Sequence, residues 1–268
     1  MICAGIDAGS RTIKIVLVDA ARLEVLAAGV TDQGVEQDAL ATRLFHRLLD
    51  GNGLRRQDIS RIVATGYGRN IVGIADTTIT EITCHACGVR HVMPEAATIV
   101  DIGGQDSKLI RVSRDGRVRD FAMNDRCAAG TGRFLEVVAH RLGVPLGSLG
   151  DLAAASRRPA AISSMCVVFA ETEIVGLLAS GTAPADIVAG VQMSLAERVV
   201  AMAGREVAEP VVFTGGVAMV PGMAAALGRA LGRAVTVAPD PQMTGALGAA
   251  ILAARAEAKQ RGDAEIPS

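Results

Sequence analysis

The feature that most limits what this chain can fold into is a motif that occurs twice. Ile6-Asp7-Ala8-Gly9 is followed by Lys14, and Val100-Asp101-Ile102-Gly103 by Lys108. In each copy an apolar run ends in Asp, Gly stands two residues on, and Lys stands seven past the Asp. Each copy also opens a strand–turn–strand pattern, ICAGID with TIKIVLVD and ATIVDIG with SKLIRVS. The repetition predicts a duplicated α/β domain whose copies face each other. Taken alone, either copy also reads as an ordinary hairpin turn.

The surrounding pattern extends both copies. After the first come a strand at EVLAAGV, a helix over Val35–Leu49 and a strand over Arg61–Ala64. After the second come a strand at RVRDFAM and helices over Gly130–Leu142, Val167–Ala179 and Ala185–Ala208. The strand PVVFTGG, a helix, a short strand over Ala234–Val237 and a closing helix from Met243 complete the chain. Strands alternating with helices predict mixed sheets covered on both faces. Half of the residues are apolar but aromatics supply only 2%, so the core is expected to be built from Ala, Val, Leu and Ile.

Charge excludes some functions. The 27 basic and 28 acidic side chains nearly cancel, and no basic run is interleaved with aromatics, so nucleic acid is not an expected partner. Asp7, Arg11 and Lys14 interrupt the apolar N-terminus before it reaches the length of an export signal. No uncharged apolar stretch is long enough to span a bilayer, and a cytoplasmic protein without a membrane partner is expected. The cysteines, at 3, 84, 87, 127 and 166, are odd in number and spread out, which favours free thiols or metal and cluster ligands over disulfides.

An Asp-x-Gly turn at a strand end is suited to phosphate. Gly9 and Gly103 lack a Cβ, so backbone N–H groups can approach an anion closely and form a concave site. Ser10 and Thr12 add hydroxyl donors and Lys14 a point charge. Asp7 and Asp101 would repel phosphate, and suit Mg²⁺ held through water. In Gly103-Gly104-Gln105, the glutamine could orient a water for in-line attack on a terminal phosphoryl group. A third glycine pair follows the apolar run Val211-Val212-Phe213-Thr214, where Gly215 and Gly216 would let backbone lie flat against a base or ribose. Neither a GxGxxG fingerprint nor a GxxxxGK[ST] loop occurs, which disfavours dinucleotide binding and the P-loop mechanism.

In order, GIDAGSRTIK, VDIGGQDSK and VVFTGG resemble the first phosphate, second phosphate and adenosine motifs of the actin, sugar-kinase and heat-shock-chaperone ATPase superfamily. The resemblance implies a ribonuclease H-like α/β fold with two lobes, a nucleotide cleft between them and hinge closure around ATP. The lobes are expected at 1–94 and 95–242, with a terminal helix, 243–268, returning to the first.

Cys127 and Cys166 each precede a helical-looking segment. A thiolate there would face unpaired N–H groups and the positive end of a helix dipole, with Asn124 and Asp125 as caps for the first helix. An iron–sulfur cluster is an anion of this kind. Two cysteines leave a Cys₄ shell half-filled, and a two-fold homodimer would complete it. Two buried structural thiols are the plainer alternative.

A more specific resemblance covers the chain from Gly5 to about Ala254. ATGYGRN, EITCHACG, VDIGGQDSK, NDRCAAGTGRFLEV, ISSMCVVFAETE and VVFTGGVA are similar to the ATP-dependent activators of 2-hydroxyacyl-CoA dehydratases and the related ATPase subunits of benzoyl-CoA reductase. That resemblance implies one [4Fe-4S] cluster per dimer, ligated by Cys127 and Cys166 of two subunits. It implies that ATP hydrolysis drives a low-potential electron, received from ferredoxin or flavodoxin, into an acyl-CoA dehydratase or reductase component. The second subunit could be an identical copy or a related chain. Gly9, Ser10, Arg11, Thr12, Ile13, Lys14, Gly103, Gly104, Gln105, Gly215, Gly216 and Gln242 would then contact ATP or ADP, with Mg²⁺ near Asp7 and Asp101.

Cys84 and Cys87 form a C-x-x-C, where the family pattern carries only the first cysteine. They read either as packing residues on a first-lobe helix or as part of a four-cysteine site with 127 and 166. Cys3 reads as core, and His85 and His91 as satisfied histidines apart from any ligand pattern. Glu171 and Glu173 point to different sides of a helix, which argues against paired acid–base work. Met165, Met193, Met202, Met219 and Met223 read as core filler or interface. A small-molecule kinase of the same superfamily and a non-enzymatic iron–sulfur scaffold are the competing functions.

Overall fold

The structure is a computed structural model, and it describes residues 1–163, 166–204 and 207–262. Met165 and the end of the expected helix 243–268 lie outside the described residues. The chain divides into two units. The first holds Met1–Glu95, Val112–Arg119 and the C-terminal stretch beginning at Gln242; the second holds Ala96–Arg111 and Asp120–Pro241.

In the first unit, β1 (Ile2–Ala8), β2 (Thr12–Asp19), β3 (Val25–Asp32), β4 (Ile59–Thr65) and the two-residue β5 (Thr77–Thr78) form one sheet. Its order is β3-β2-β1-β4-β5. β1 is antiparallel to β2 and parallel to β4. Helix α1 (Gln37–Gly51) covers one face through Ala41, Leu44, Phe45 and Leu49. The opposite face carries α2 (Glu81–Val92) and the C-terminal helix, Thr244–Arg261. That last helix is buried along most of its length, which its run of Ala and Gly permits. A Cβ on Gly248 would stand 1.8 Å from the Cys84 carbonyl oxygen, so the two backbones touch where these helices cross.

The second sheet, which lies in the second unit apart from Val112, Val118 and Arg119, repeats the topology. β6 (Thr98–Ile102), β7 (Ser107–Val112), β8 (Val118–Asn124), β9 (Val211–Thr214) and β10 (Val235–Val237) are ordered β10-β9-β6-β7-β8. β6 is antiparallel to β7 and parallel to β9, as β1 is to β2 and β4. Its helices are α3 (Gly132–Leu142), α4 (Leu149–Ala154), α5 (Val167–Ala179), α6 (Pro184–Ala203) and α7 (Met223–Leu231), which makes the C-terminal helix α8. Phe134, Leu135, Val138, Ile174, Val191, Leu195 and Phe213 are among the residues of one core. The duplicated α/β fold read from the motif is therefore present in both sheets, strand for strand.

Three local expectations are corrected. Helix α6 ends at Ala203 rather than Ala208, because Gly204 takes a left-handed φ of 63°. Helix α3 begins at Gly132, after a separate 3-10 turn over Ala128–Gly130. Helix α4 and strand β5 are short elements without a strong period, and the pattern did not show them. No helix among the described residues is long and apolar enough to cross a membrane.

Candidate functional site

The two motif copies build the same arrangement in each unit. Asp7 lies opposite Lys14 in the β1–β2 ladder and opposite Thr65 in the β1–β4 ladder. Asp101 lies opposite Lys108 and Thr214 in the same way. Opposed residues project from one face of a sheet, so each Asp is placed beside its Lys by register alone. Lys14 Nζ donates to Asp7 Oδ2 at 3.3 Å, and Lys108 Nζ to Asp101 Oδ2 at 3.0 Å.

The third corner of each arrangement is a glycine: Gly215, which the sequence reading assigned to the nucleotide, and Gly66, which it missed. Gly66 follows β4 with φ +88°, and Gly215 follows β9 with φ +89°. A Cβ would stand 2.4 Å from Asp7 Oδ1 at Gly66 and 2.6 Å from Asp101 Oδ1 at Gly215. Both the left-handed backbone and the close approach exclude a side chain. The signal was the Thr-Gly pair ending an apolar run in both RIVATG and VVFTG.

The copies differ in how they use lysine. Lys108 is only 2% exposed and also donates to Asp106 Oδ2 at 2.7 Å, so it is an internal strut between two carboxylates. Asp106 curls back over the turn, where Gly103 N donates to its carbonyl oxygen at 2.9 Å. Asp101 is enclosed, with Gly215 against one oxygen and Lys108 on the other. Gln105 is exposed at the tip of this turn. In the first unit Asp7 is buried, Lys14, Gly9, Ser10 and Thr12 are half-buried, and Arg11 is exposed. Ile13 is fully buried in the core, so only its backbone can reach a ligand. Gln33 Nε2 donates to Gly9 O at 2.8 Å and holds the loop from β3.

His85 is a satisfied core histidine, as expected. It is buried, its Nδ1 lies 3.2 Å from Thr244 Oγ1, and its ring and Asp7 Oδ2 both lie within 3.2 Å of where a Cβ on Gly245 would stand. In the second unit Gly215 is buried and Gly216 exposed, and Pro241 O accepts from Thr214 Oγ1 at 2.5 Å and Gly215 N at 2.8 Å. Those bonds pin the residue before Gln242 to the glycine pair.

The five cysteines separate by exposure. Cys127 and Cys166 are exposed, whereas Cys3 and Cys84 are buried and Cys87 half-buried. Burial pushes the thiol pKa up to about 11 at Cys3 and about 12 at Cys84. Burial also raises Cys87, partly offset by Arg255, whose guanidinium donates to its sulfur at 3.6 Å. Cys84 and Cys87 join the core between α2 and α8. Among the described residues no three His, Cys, Asp or Glu side chains gather as a metal site.

Cys166 is the N-cap of α5, and its carbonyl accepts from Ala170 N at 2.8 Å. Cys127 is held differently from the expectation. Asn124 Oδ1 accepts from Cys127 N at 3.0 Å and Asn124 Nδ2 donates to Cys127 O at 2.8 Å. Only the 3-10 turn follows Cys127, and the first amides of α3 are committed elsewhere. Gly132 N donates to Gly103 O and Arg133 N to Gly104 O, both at 2.9 Å. Glu171 ion-pairs with Arg141 of α3, and Glu173 Oε1 accepts from Ser163 N and Oγ at 2.8 and 2.7 Å. Both glutamates are structural ties of α5.

Two α/β units of one topology, each with an Asp–Lys pair braced by a left-handed glycine, define an ATPase of the actin-like superfamily. The family model described as "BadF/BadG/BcrA/BcrD ATPase family" matches residues 4–253. The chain belongs to that family. It is 44% identical to the activator of lactoyl-CoA dehydratase from Anaerotignum propionicum, over 97% of this chain and 100% of that one. It is 42% identical to the (R)-2-hydroxyglutaryl-CoA dehydratase activating ATPase of Acidaminococcus fermentans, over 95% and 98%. The solved activator of 2-hydroxyisocaproyl-CoA dehydratase from Clostridium difficile, with bound ADPNP, superposes with a TM-score of 0.91 at 39% identity, covering 100% of both chains.

Proposed function

We propose that the chain is the ATP-dependent activator of a 2-hydroxyacyl-CoA dehydratase, and that it works as a one-electron donor in the cytoplasm. Similarity to dehydratase activators over nearly their whole length supports the first part. The observation that carries the second is the exposure of Cys127 and Cys166, while the other three cysteines are wholly or partly buried.

The donor set suits a [4Fe-4S] cluster shared between chains. Each copy offers two exposed thiols and no third ligand among the described residues, so Cys127 and Cys166 of two copies would supply the four thiolates. When bound, such a cluster supplies a one-electron carrier. Cys166 would bring its thiolate to the positive end of the 13-residue α5. Asn124 fixes the backbone of Cys127 on both sides and so sets where its sulfur can point.

The turn at Gly9–Thr12 and Lys14 would hold phosphate oxygens, Asp7 would retain Mg²⁺ through water, and Gln105 would orient the attacking water. Asp101, enclosed by Lys108 and Gly215, would act by bracing the turn that carries Gln105. Gly216 and Gln242 would lie against the adenosine. Nucleotide drives electron transfer only if it binds one conformation more tightly than the other. A kinase would leave both exposed cysteines unused, and a scaffold would leave the ATPase family membership without purpose.

The test is ATP-dependent reduction of a purified 2-hydroxyacyl-CoA dehydratase by the anaerobically purified chain, with reduced ferredoxin or flavodoxin as source. The expected result is one-electron reduction that requires ATP hydrolysis and is lost in Cys127→Ala and Cys166→Ala. Phosphoryl transfer to a small-molecule hydroxyl by an iron-free protein would overturn the proposal.

A further inference from the structure

We infer that α3 and the Arg141–Glu171 ion pair near its far end are positioning elements that carry the state of the Gly103–Gln105 turn to the segment bearing Cys166. The inference rests on the nucleotide-coupled reading above and adds residues to it. At its start, α3 donates Gly132 N and Arg133 N to the carbonyls of Gly103 and Gly104. The N-cap, Thr131, makes no side-chain cap, so the turn itself satisfies two of the helix's open donors. Any rearrangement of the Gly103–Gly104 peptides either pulls the helix with it or strands those amides.

Helix α3 is stiff enough to transmit such a pull. Its 11 residues span roughly 16 Å, and Phe134, Leu135 and Val138 bury one face in the core. In its last turn, Arg141 Nε pairs with Glu171 of α5. Glu171 stands five residues after Cys166 on the helix that Cys166 caps. Glu173, two residues further on, ties the same helix back to Ser163 on the segment that leads into Cys166. The phosphate turn, α3, the ion pair and the Cys166 helix thus form one continuous chain of contacts within the second unit.

A purely stabilising role accounts poorly for the pair. The two side chains are 46% and 31% exposed, and ion pairs at such positions add little to a fold. They do fix the relative placement of two helices, and salt weakens them in a recognisable way.

The test uses the full-length, cluster-loaded protein under anaerobic conditions. A ferrous chelator strips iron in the presence of MgADP or of a non-hydrolysable Mg-ATP analogue, and the ratio of the two rates measures the coupling. Wild type should give a ratio clearly different from one. Glu171→Gln and Arg141→Gln should each move that ratio toward one by about 2- to 5-fold, with unchanged thermal stability. The double variant Arg141→Glu with Glu171→Arg should restore it, and added salt should erode the ratio in wild type but not in the single variants. A wild-type ratio of one would remove the nucleotide-coupled reading itself. A normal wild-type ratio that both single variants retain, or that the reversed pair fails to restore, would overturn the inference alone.

Discussion

Replacing Gly215 with alanine places a methyl group where the structure has no room for one. The new Cβ would stand 2.4 Å from Ile102 O and 2.6 Å from Asp101 Oδ1, on a residue whose φ is +89°. At φ +89° and ψ 171° the backbone is in a region essentially confined to glycine, which costs an L-residue about 1–3 kcal/mol. Displacing the end of β6 adds about 1–3 kcal/mol, as overpacked sites do. A total near 3 kcal/mol lowers the melting temperature by about 6–12 °C in a chain of this size. The neighbouring Gly216 is the internal control, because nothing lies within 4 Å of its Cβ position. Gly216→Ala should melt within about 0.5 kcal/mol of wild type, yet bind ATP more weakly if the adenosine lies against it. Melting by circular dichroism and nucleotide affinity by calorimetry separate the two effects. A Gly215→Ala protein that melts with wild type would refute the claim that this glycine holds Asp101 in place.

Three further outcomes are expected. Lys108→Met removes the buried ammonium between the carboxylates of Asp101 and Asp106 and should cost about 3–5 kcal/mol in urea unfolding, whereas the more exposed Lys14→Met should cost less and act mainly on ATP affinity. Asn124→Ala removes two of the hydrogen bonds that hold the Cys127 backbone and should speed iron loss to a chelator several-fold, at a stability cost of about 1–3 kcal/mol. Burial raises the Cys84 thiol from 9.0 to about 12, so its contribution is fully present below pH 9 and is lost as pH rises through that interval. Unfolding between pH 9 and 12 should show that loss, on the order of 4 kcal/mol, and Cys84→Ala should make the profile shallower, leaving the smaller slope due to Cys3 and Cys87.

The large-scale fold was legible because the duplicated motif is local and its spacing is set by strand register. Asp and Lys seven residues apart meet across any tight hairpin that begins just after the Asp, so both ladders could be anticipated. The Thr65-Gly66 corner was not legible in the same way. Its identity depends on a parallel strand arriving from 58 positions away at Asp7, and no local period reports that pairing. Lys108 looked like Lys14 because sequence does not show that Asp106 turns back onto it. His85 was read correctly as a satisfied histidine, but its neighbours, Thr244 and Asp7, were not legible because they come from opposite ends of the chain. The helix-start reading suited Cys166, which caps α5. For Cys127 it holds only for the 3-10 turn over Ala128–Gly130 that this residue caps, because the first amides of α3 are spent on the carbonyls of Gly103 and Gly104.

Native mass spectrometry of the anaerobically purified protein tests the shared cofactor most directly. The account predicts a species with the mass of two chains plus a single Fe₄S₄ unit, and cluster-free chains when either Cys127 or Cys166 is replaced by alanine. A cluster carried by each monomer, or one retained after both replacements, would contradict it.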